Sequence, residues 1–200
     1  MKKKIKKVFI VHAVDTEGPL YESPKATFQR AKELLNLKIK SQNTKTFEKL
    51  KKGIGYKGEL KKKILKIFNS HLIEYNTNWK MIENMLKKIS SKNFRNKIKD
   101  DSGKQYVLTW HCVDHVNYKY NPRKREIGYG KIFKFYKNFI KRHNLRDKIG
   151  FHYHPMSTYR EAHRNATLWH RSENLYQILC RRIIDEKWFP VANRAGFHVE

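Results

Sequence analysis

Ile149-Gly150-Phe151-His152-Tyr153-His154-Pro155 is the stretch that decides the fold. A short apolar and aromatic run closed by proline has the pattern of a buried β-strand, and the proline ends it because it has no amide hydrogen for a ladder. Residues i and i+2 of a strand face the same side. His152 and His154 therefore point together, as two imidazoles must if they are to share one divalent ion.

Outward from this strand the chain alternates. An earlier strand is expected over residues 6–14, rich in β-branched side chains and closed by Gly18-Pro19. A helix follows, with Ser23 as N-cap and Pro24 in its first turn. Phe28, Ala31, Leu34 and Leu35 recur in it at helical spacing. Residues 53–58 interrupt the pattern. From Glu59 an apolar stripe resumes through Leu60, Ile64, Leu65, Phe68, Leu72, Trp79, Ile82, Met85, Leu86 and Ile89. The turn Asp100-Asp101-Ser102-Gly103 precedes a second strand over 106–112. A helix over 129–143, the strand over 149–154, a helix over 173–186 and a last apolar strand over 188–192 complete the order. Strands alternating with helices are the mark of a parallel sheet or barrel. The expected fold is α/β: a partial (β/α) barrel in a single domain over 1–200, with a helical insertion at about 24–99 after the first strand. A closed barrel typically needs about 250 residues, so the barrel is expected to be incomplete at the C-terminus.

The 200 residues carry a formal charge of +27, with 39% hydrophobic residues, 11 Phe, 11 Tyr and 4 Trp. That aromatic content separates the chain from disordered sequences. The charge raises the possibility of a nucleic-acid partner. It is disfavoured, because most of the basic residues are lysines spread along the whole chain. The same field would serve an anionic glycan or a membrane surface. Cys112 and Cys180 give no disulfide framework and fit a reducing compartment as small buried hydrophobes. The start resembles a signal peptide, but its apolar run is short and is broken by His12. No stretch approaches the roughly 20 apolar residues of a membrane span. A cytoplasmic location is expected, and no oligomeric state follows from the sequence.

Ligands of parallel α/β sheets sit at the carboxyl ends of the strands. Three of the four expected strands end in polar clusters: Asp15-Thr16-Glu17, His152-Tyr153-His154-Pro155 and Asn193-Arg194-Ala195-Gly196. Asp15 and Glu17 share the i, i+2 spacing, so either carboxylate can face the histidines, as a ligand or as the base that takes a proton from water. A hydrolytic zinc-type site keeps a position open for that water. Arg194 can orient the carboxylate by paired hydrogen bonds.

These islands resemble a known family. Ala13-Val14-Asp15-Thr16-Glu17-Gly18-Pro19 resembles the first motif of the polysaccharide deacetylases (the NodB-like, carbohydrate esterase family 4 superfamily). The Ile149 to Pro155 stretch resembles the second motif in a shortened His-x-His-Pro form. Asn193-Arg194-Ala195-Gly196-Phe197 resembles the third, and Thr109-Trp110 lies where the family's second strand runs. The resemblance implies Asp15 and Glu17 as catalytic base and metal ligand in either order, and His152 and His154 as ligands of zinc or a similar divalent ion. Arg194 would position the base. The implied reaction is hydrolysis of an acetyl group on a carbohydrate, plausible in surface polysaccharide metabolism. Asp-x-Glu replaces the family's adjacent aspartates, and its later motifs, which supply a further supporting Asp and a general-acid His, would lie past Glu200.

Asp114 and His115, at the end of the second strand, are expected as substrate contacts. So are Tyr159 and His163 in the polar loop after the third strand, which also holds Arg160, Arg164 and Trp169. His111 and Cys112 face opposite sides of a strand and cannot share an ion. Gly53-Ile54-Gly55-Tyr56-Lys57-Gly58 fits G-x-G-x-x-G but follows a helix, not a strand, so a loop is the better reading. The rivals are an amidohydrolase-type metal enzyme, disfavoured because its His-x-His belongs on the first strand, and a truncated or inactive barrel kept as a glycan- or nucleic-acid-binding module.

Overall fold

The computed structural model describes residues 8–20, 23–69, 76–116, 121, 125–154 and 174–196. Four strands, β1 (Ala13–Thr16), β2 (Thr109–Asp114), β3 (Lys148–Tyr153) and β4 (Asn193–Ala195), form one parallel sheet in the order β1-β2-β3-β4. Each strand lies beside the one that precedes it in sequence. A sheet that winds in one direction without reversing curls toward a barrel, whereas a doubly wound sheet reverses at a switch point. The expected mixed α/β architecture of a partial barrel is thus observed.

The ends of the strands differ from expectation. The first strand was expected over 6–14, but pairing begins at Ala13, opposite Thr109. Val8, Phe9, Ile10 and Val11 are 72–84% exposed. Apolar, β-branched composition favours extended backbone, but a strand needs a ladder partner, and β2 supplies one only from Thr109. The same reason moves β2 to Thr109–Asp114 and β4 to Asn193–Ala195. Before β4, Phe189 and Val191 are exposed while Trp188 packs into the core.

Helices α4 (Trp79–Ser90), α6 (Lys131–Arg142) and α7 (Leu175–Glu186) supply the apolar layer over the sheet. On α6 the buried Ile132, Phe133, Tyr136 and Phe139 fall on one stripe. They meet Trp110, Cys112 and Ile149 from the strands and Ile82 and Leu86 from α4. Each such side chain contributes about 1.5–3 kcal/mol on burial. Leu175 and Ile178 of α7 pack on Phe151 and Tyr153. Cys112 is buried, and burial pushes its thiol up to about 12; Cys180, expected to be buried, is exposed.

The expected insertion over 24–99 divides. Helices α1 (Pro24–Leu35), α2 (Thr44–Lys51) and α3 (Gly58–Phe68) have a core of their own, in which Phe28, Phe47 and Phe68 meet edge to face at 5.4–5.8 Å. Ser23 caps α1 through Ala26 N–H, with Pro24 in the first turn as expected. Helix α4, by contrast, belongs to the layer over the sheet. The short helix α5 (Lys92–Asn96) is fixed by a buried fork: Arg95 Nη1 and Nη2 donate to Asp147 Oδ1 and Oδ2 at 2.8 and 2.7 Å. Asp147 also accepts from Leu108 N–H and Trp110 Nε1–H, which ties the amino ends of β2 and β3 to α5. Among the described residues no helix is long and apolar enough to cross a membrane.

Candidate functional site

The strand register sets which side chains meet. Asp15, His111 and Gly150 lie in one row, and Val113, His152 and Arg194 in another, two positions further along. Rows two apart share a face, and alternation carries Glu17, His115, His154 and Gly196 onto that same face. It is the face opposite the helices, the lumen side of a barrel. The sequence placed His152, His154, Asp15 and Arg194 together, and the structure does bring them together.

Arg194 Nε donates to Asp15 Oδ2 at 2.9 Å and lies 2.8 Å from Oδ1 in the same ion pair. Asp15 Oδ1 lies 4.0 Å from His152 Nε2. His152 Nδ1 lies 2.8 Å from the Arg194 carbonyl oxygen, and a carbonyl can only accept, so Nδ1 carries the proton. In a neutral ring that leaves the lone pair on Nε2, facing His154 Nε2 at 2.9 Å. The proton between the two rings is then supplied by His154. Burial lowers the basicity of both rings, pushing His154 down to about 2 with help from its neighbours His152, His115 and Arg125. Both imidazoles are therefore neutral at pH 7, which is the form that binds metal.

Glycine at 196 is required by this packing. A Cβ there would come within 1.9 Å of His154 Cδ2 and 2.7 Å of the Tyr153 carbonyl oxygen. Gly150 plays the same part beneath His111, whose ring would sit 2.5 Å from an added Cβ.

Asp15 and Glu17 separate. Glu17 forms an ion pair with Arg125 and lies 4.0 Å from His115 Nε2, whereas Asp15 is held beside His152. His115 is buried with its ring edge-on to His154 at 5.5 Å, and burial pushes it down to about 4. It is thus part of the imidazole cluster, not a rim group. Asp114 corrects the expectation of a substrate contact. It lies in the row of Tyr153, on the helix side, and is buried, with Oδ1 accepting from Gly130 N–H at 2.7 Å and Oδ2 paired with Arg182. Tyr159 and His163 lie outside the described residues.

Arg125 was missed by sequence reasoning. It reaches Glu17 from a loop held by Asn121, whose side chain bonds Arg125 N–H and carbonyl at 2.9 and 2.8 Å. Burial lowers its guanidinium to about 10. No spacing rule marks an arginine on an irregular loop. His111 was judged only as a partner for Cys112; strand parity with Asp15 would have found it.

A cleft of about 340 Å³ opens at the carboxyl end of β1, lined by Asp15, Glu17, Arg125 and Tyr136 among others, a size suited to a small ligand. A larger cavity of about 480 Å³ lies toward α4 and α5, lined chiefly by apolar side chains such as Met85, Ile89, Phe94 and Leu108.

No protein-family model, curated protein or solved structure matches the chain. The donor set itself is the test of whether an ion fits. Two ligand nitrogens on a tetrahedral zinc stand roughly 3.3 Å apart, from bonds of 2.0–2.1 Å, and the two Nε2 atoms are already 2.9 Å apart. Among the described residues no three His, Cys, Asp or Glu side chains are close enough together to hold an ion. The arrangement is a convergent imidazole pair with the Asp15 carboxylate just outside bonding reach.

Proposed function

We propose that this chain is a metal-dependent hydrolase that removes an acetyl or related acyl group from a carbohydrate, acting in the cytoplasm. The observation that carries the reading is the convergence of His152, His154 and the Arg194-oriented Asp15 at one mouth of a parallel sheet. The motif resemblance supports the carbohydrate substrate.

In this reading His152 and His154 would hold a divalent ion such as zinc, His154 carrying its ring proton on Nδ1 when the ion is bound. A bound ion supplies Lewis acidity to the acyl carbonyl and to the attacking water. Asp15 takes a proton from that water, and Arg194 keeps the carboxylate turned toward the imidazoles. The Arg194 carbonyl fixes the His152 ring through Nδ1–H, leaving Nε2 for the ion. Glu17 and Arg125 line the cleft beside them, where a sugar ring would sit.

The test is release of acetate from N- and O-acetylated oligosaccharides by zinc-loaded protein. Asp15→Asn is expected to abolish release while the protein still binds zinc. Acetate release by Asp15→Asn at the native rate would remove Asp15 as the base. Saturable oligosaccharide binding with no acetate release by native protein would instead favour the glycan-binding module.

A further inference from the structure

We propose that the α2–α3 turn is a docking tip for an anionic phospholipid surface. It carries seven lysines in 15 residues, Lys49, Lys51, Lys52, Lys57, Lys61, Lys62 and Lys63, against one acid, Glu59. The whole chain has 33 lysines in 200 residues, so the tip is about three times richer in lysine than the average. All seven side chains are exposed. Glu59 meets Lys62 at 3.7 Å, an exposed pair that leaves the field of the tip strongly positive.

Two aliphatic side chains stand out among these charges. Ile54 is 51% exposed and Leu60 is 40% exposed. Ile54 stands in the turn and Leu60 in the first turn of α3, and the turn itself is held by backbone hydrogen bonds. Gly53 N–H donates to Leu50 O at 2.9 Å and Ile54 N–H to Lys49 O at 3.0 Å, and Gly53, Gly55 and Gly58 take positive φ of 64°, 88° and 56°. Tyr56, which could have stacked on a nucleobase, packs against the core of the helical unit instead.

This pairing selects a lipid surface over a nucleic acid. Nucleic acids are bound through charge on their phosphates and aromatic stacking on their bases, and neither rewards an exposed isoleucine. At a bilayer the ammonium groups stay level with the lipid phosphates while the aliphatic groups enter the acyl boundary. The cytoplasmic leaflet is anionic and attracts lysine clusters of this density. The inference is independent of the hydrolase reading.

The experiment is co-sedimentation of the full chain with vesicles of phosphatidylglycerol and phosphatidylcholine, and of phosphatidylcholine alone. Binding is expected on the anionic vesicles only. Lys61→Glu/Lys62→Glu/Lys63→Glu is expected to weaken it by about tenfold or more. Ile54→Asn/Leu60→Asn should weaken it several-fold at unchanged charge. All five positions are exposed, and an unchanged circular dichroism melt verifies folding. In a Cys180→Ser background, since Cys180 is the exposed thiol, a polarity-sensitive dye on Ile54→Cys should shift to the blue on the anionic vesicles. Vesicle binding that ignores the Ile54/Leu60 replacements, a dye that stays in water, or DNA binding through these lysines without vesicle binding would each overturn the proposal.

Discussion

Arg194 and Asp15 are 179 positions apart in sequence, yet the guanidinium Nε lies 2.8 Å from the carboxylate Oδ1. The pair is partly exposed, with side-chain exposures of 49% and 35%, so its contribution to stability is small. Its value is positional. The same Arg194 gives its carbonyl to His152 Nδ1, so one residue sets the direction of the carboxylate and the tautomer of the first imidazole.

Replacing the guanidinium should therefore affect chemistry more than folding. Arg194→Ala is expected to cost less than about 1 kcal/mol in urea unfolding and to lower kcat for acetate release by about 10–100-fold. Zinc affinity should stay near native, because the backbone carbonyl remains. Arg194→Lys should recover little, since an ammonium lacks the planar fork. Separate kcat and KM values, measured beside unfolding curves, distinguish this from a merely structural role.

Gly196→Ala tests the floor under His154. The added methyl would stand 1.9 Å from Cδ2 and 2.7 Å from Nε2, so the ring must leave its place against His152. Zinc affinity is expected to fall at least about tenfold, in the range seen when metal-ligand support is removed, with about 1–3 kcal/mol of stability lost to overpacking. Calorimetry of zinc binding measures the first effect and denaturant midpoints the second.

The buried imidazoles make the metal-free protein acid-sensitive. His115 titrates at 6.5 when unperturbed and at about 4 in the fold. Above pH 6.5 the ring is neutral in both states and stability does not depend on it. Between 6.5 and about 4 the unfolded chain binds a proton that the fold refuses, so stability falls as pH falls. His115 alone accounts for roughly 3 kcal/mol across that window, and His152 and His154 shift in the same direction. Unfolding free energies measured with a chelator present should show this slope, and His115→Gln should flatten it by one proton.

How much of this was legible in the sequence depended on whether a local rule applied. The pair His152/His154 and the acid Asp15 followed from strand parity, and Arg194 from its place after an apolar run. The Ser23 cap and Pro24 followed from helix-start chemistry. The strand limits did not follow, because Val8 to Val11 have strand composition but β2 offers them no ladder. Neither did the division of the helical stretch. Leu60, Ile64, Ile82 and Leu86 read as one stripe, yet Ile64 belongs to the core of α1–α3 and Ile82 and Leu86 to the sheet layer. Which core a stripe faces is a tertiary property. The Arg95–Asp147 fork, 52 positions apart, and Arg125 on its loop left no periodic trace at all.

That division of cores has a measurable consequence. Phe47→Ala should cost about 3–5 kcal/mol while leaving zinc affinity native, because Phe47 packs within the α1–α3 core. Arg95→Leu should cost a similar amount, about 3–5 kcal/mol, by stranding Asp147 in the interior. Paired urea and zinc titrations on the two variants separate loss of packing from loss of the site.

The most direct measurement is X-ray absorption of the protein loaded with one equivalent of zinc, in native form and as His152→Ala/His154→Ala. The expected native spectrum contains two imidazole nitrogens at about 2.0–2.1 Å, both lost in the variant along with stoichiometric uptake. Zinc bound equally by the two proteins, or a native shell without imidazole, would contradict a metal centre built on this histidine pair.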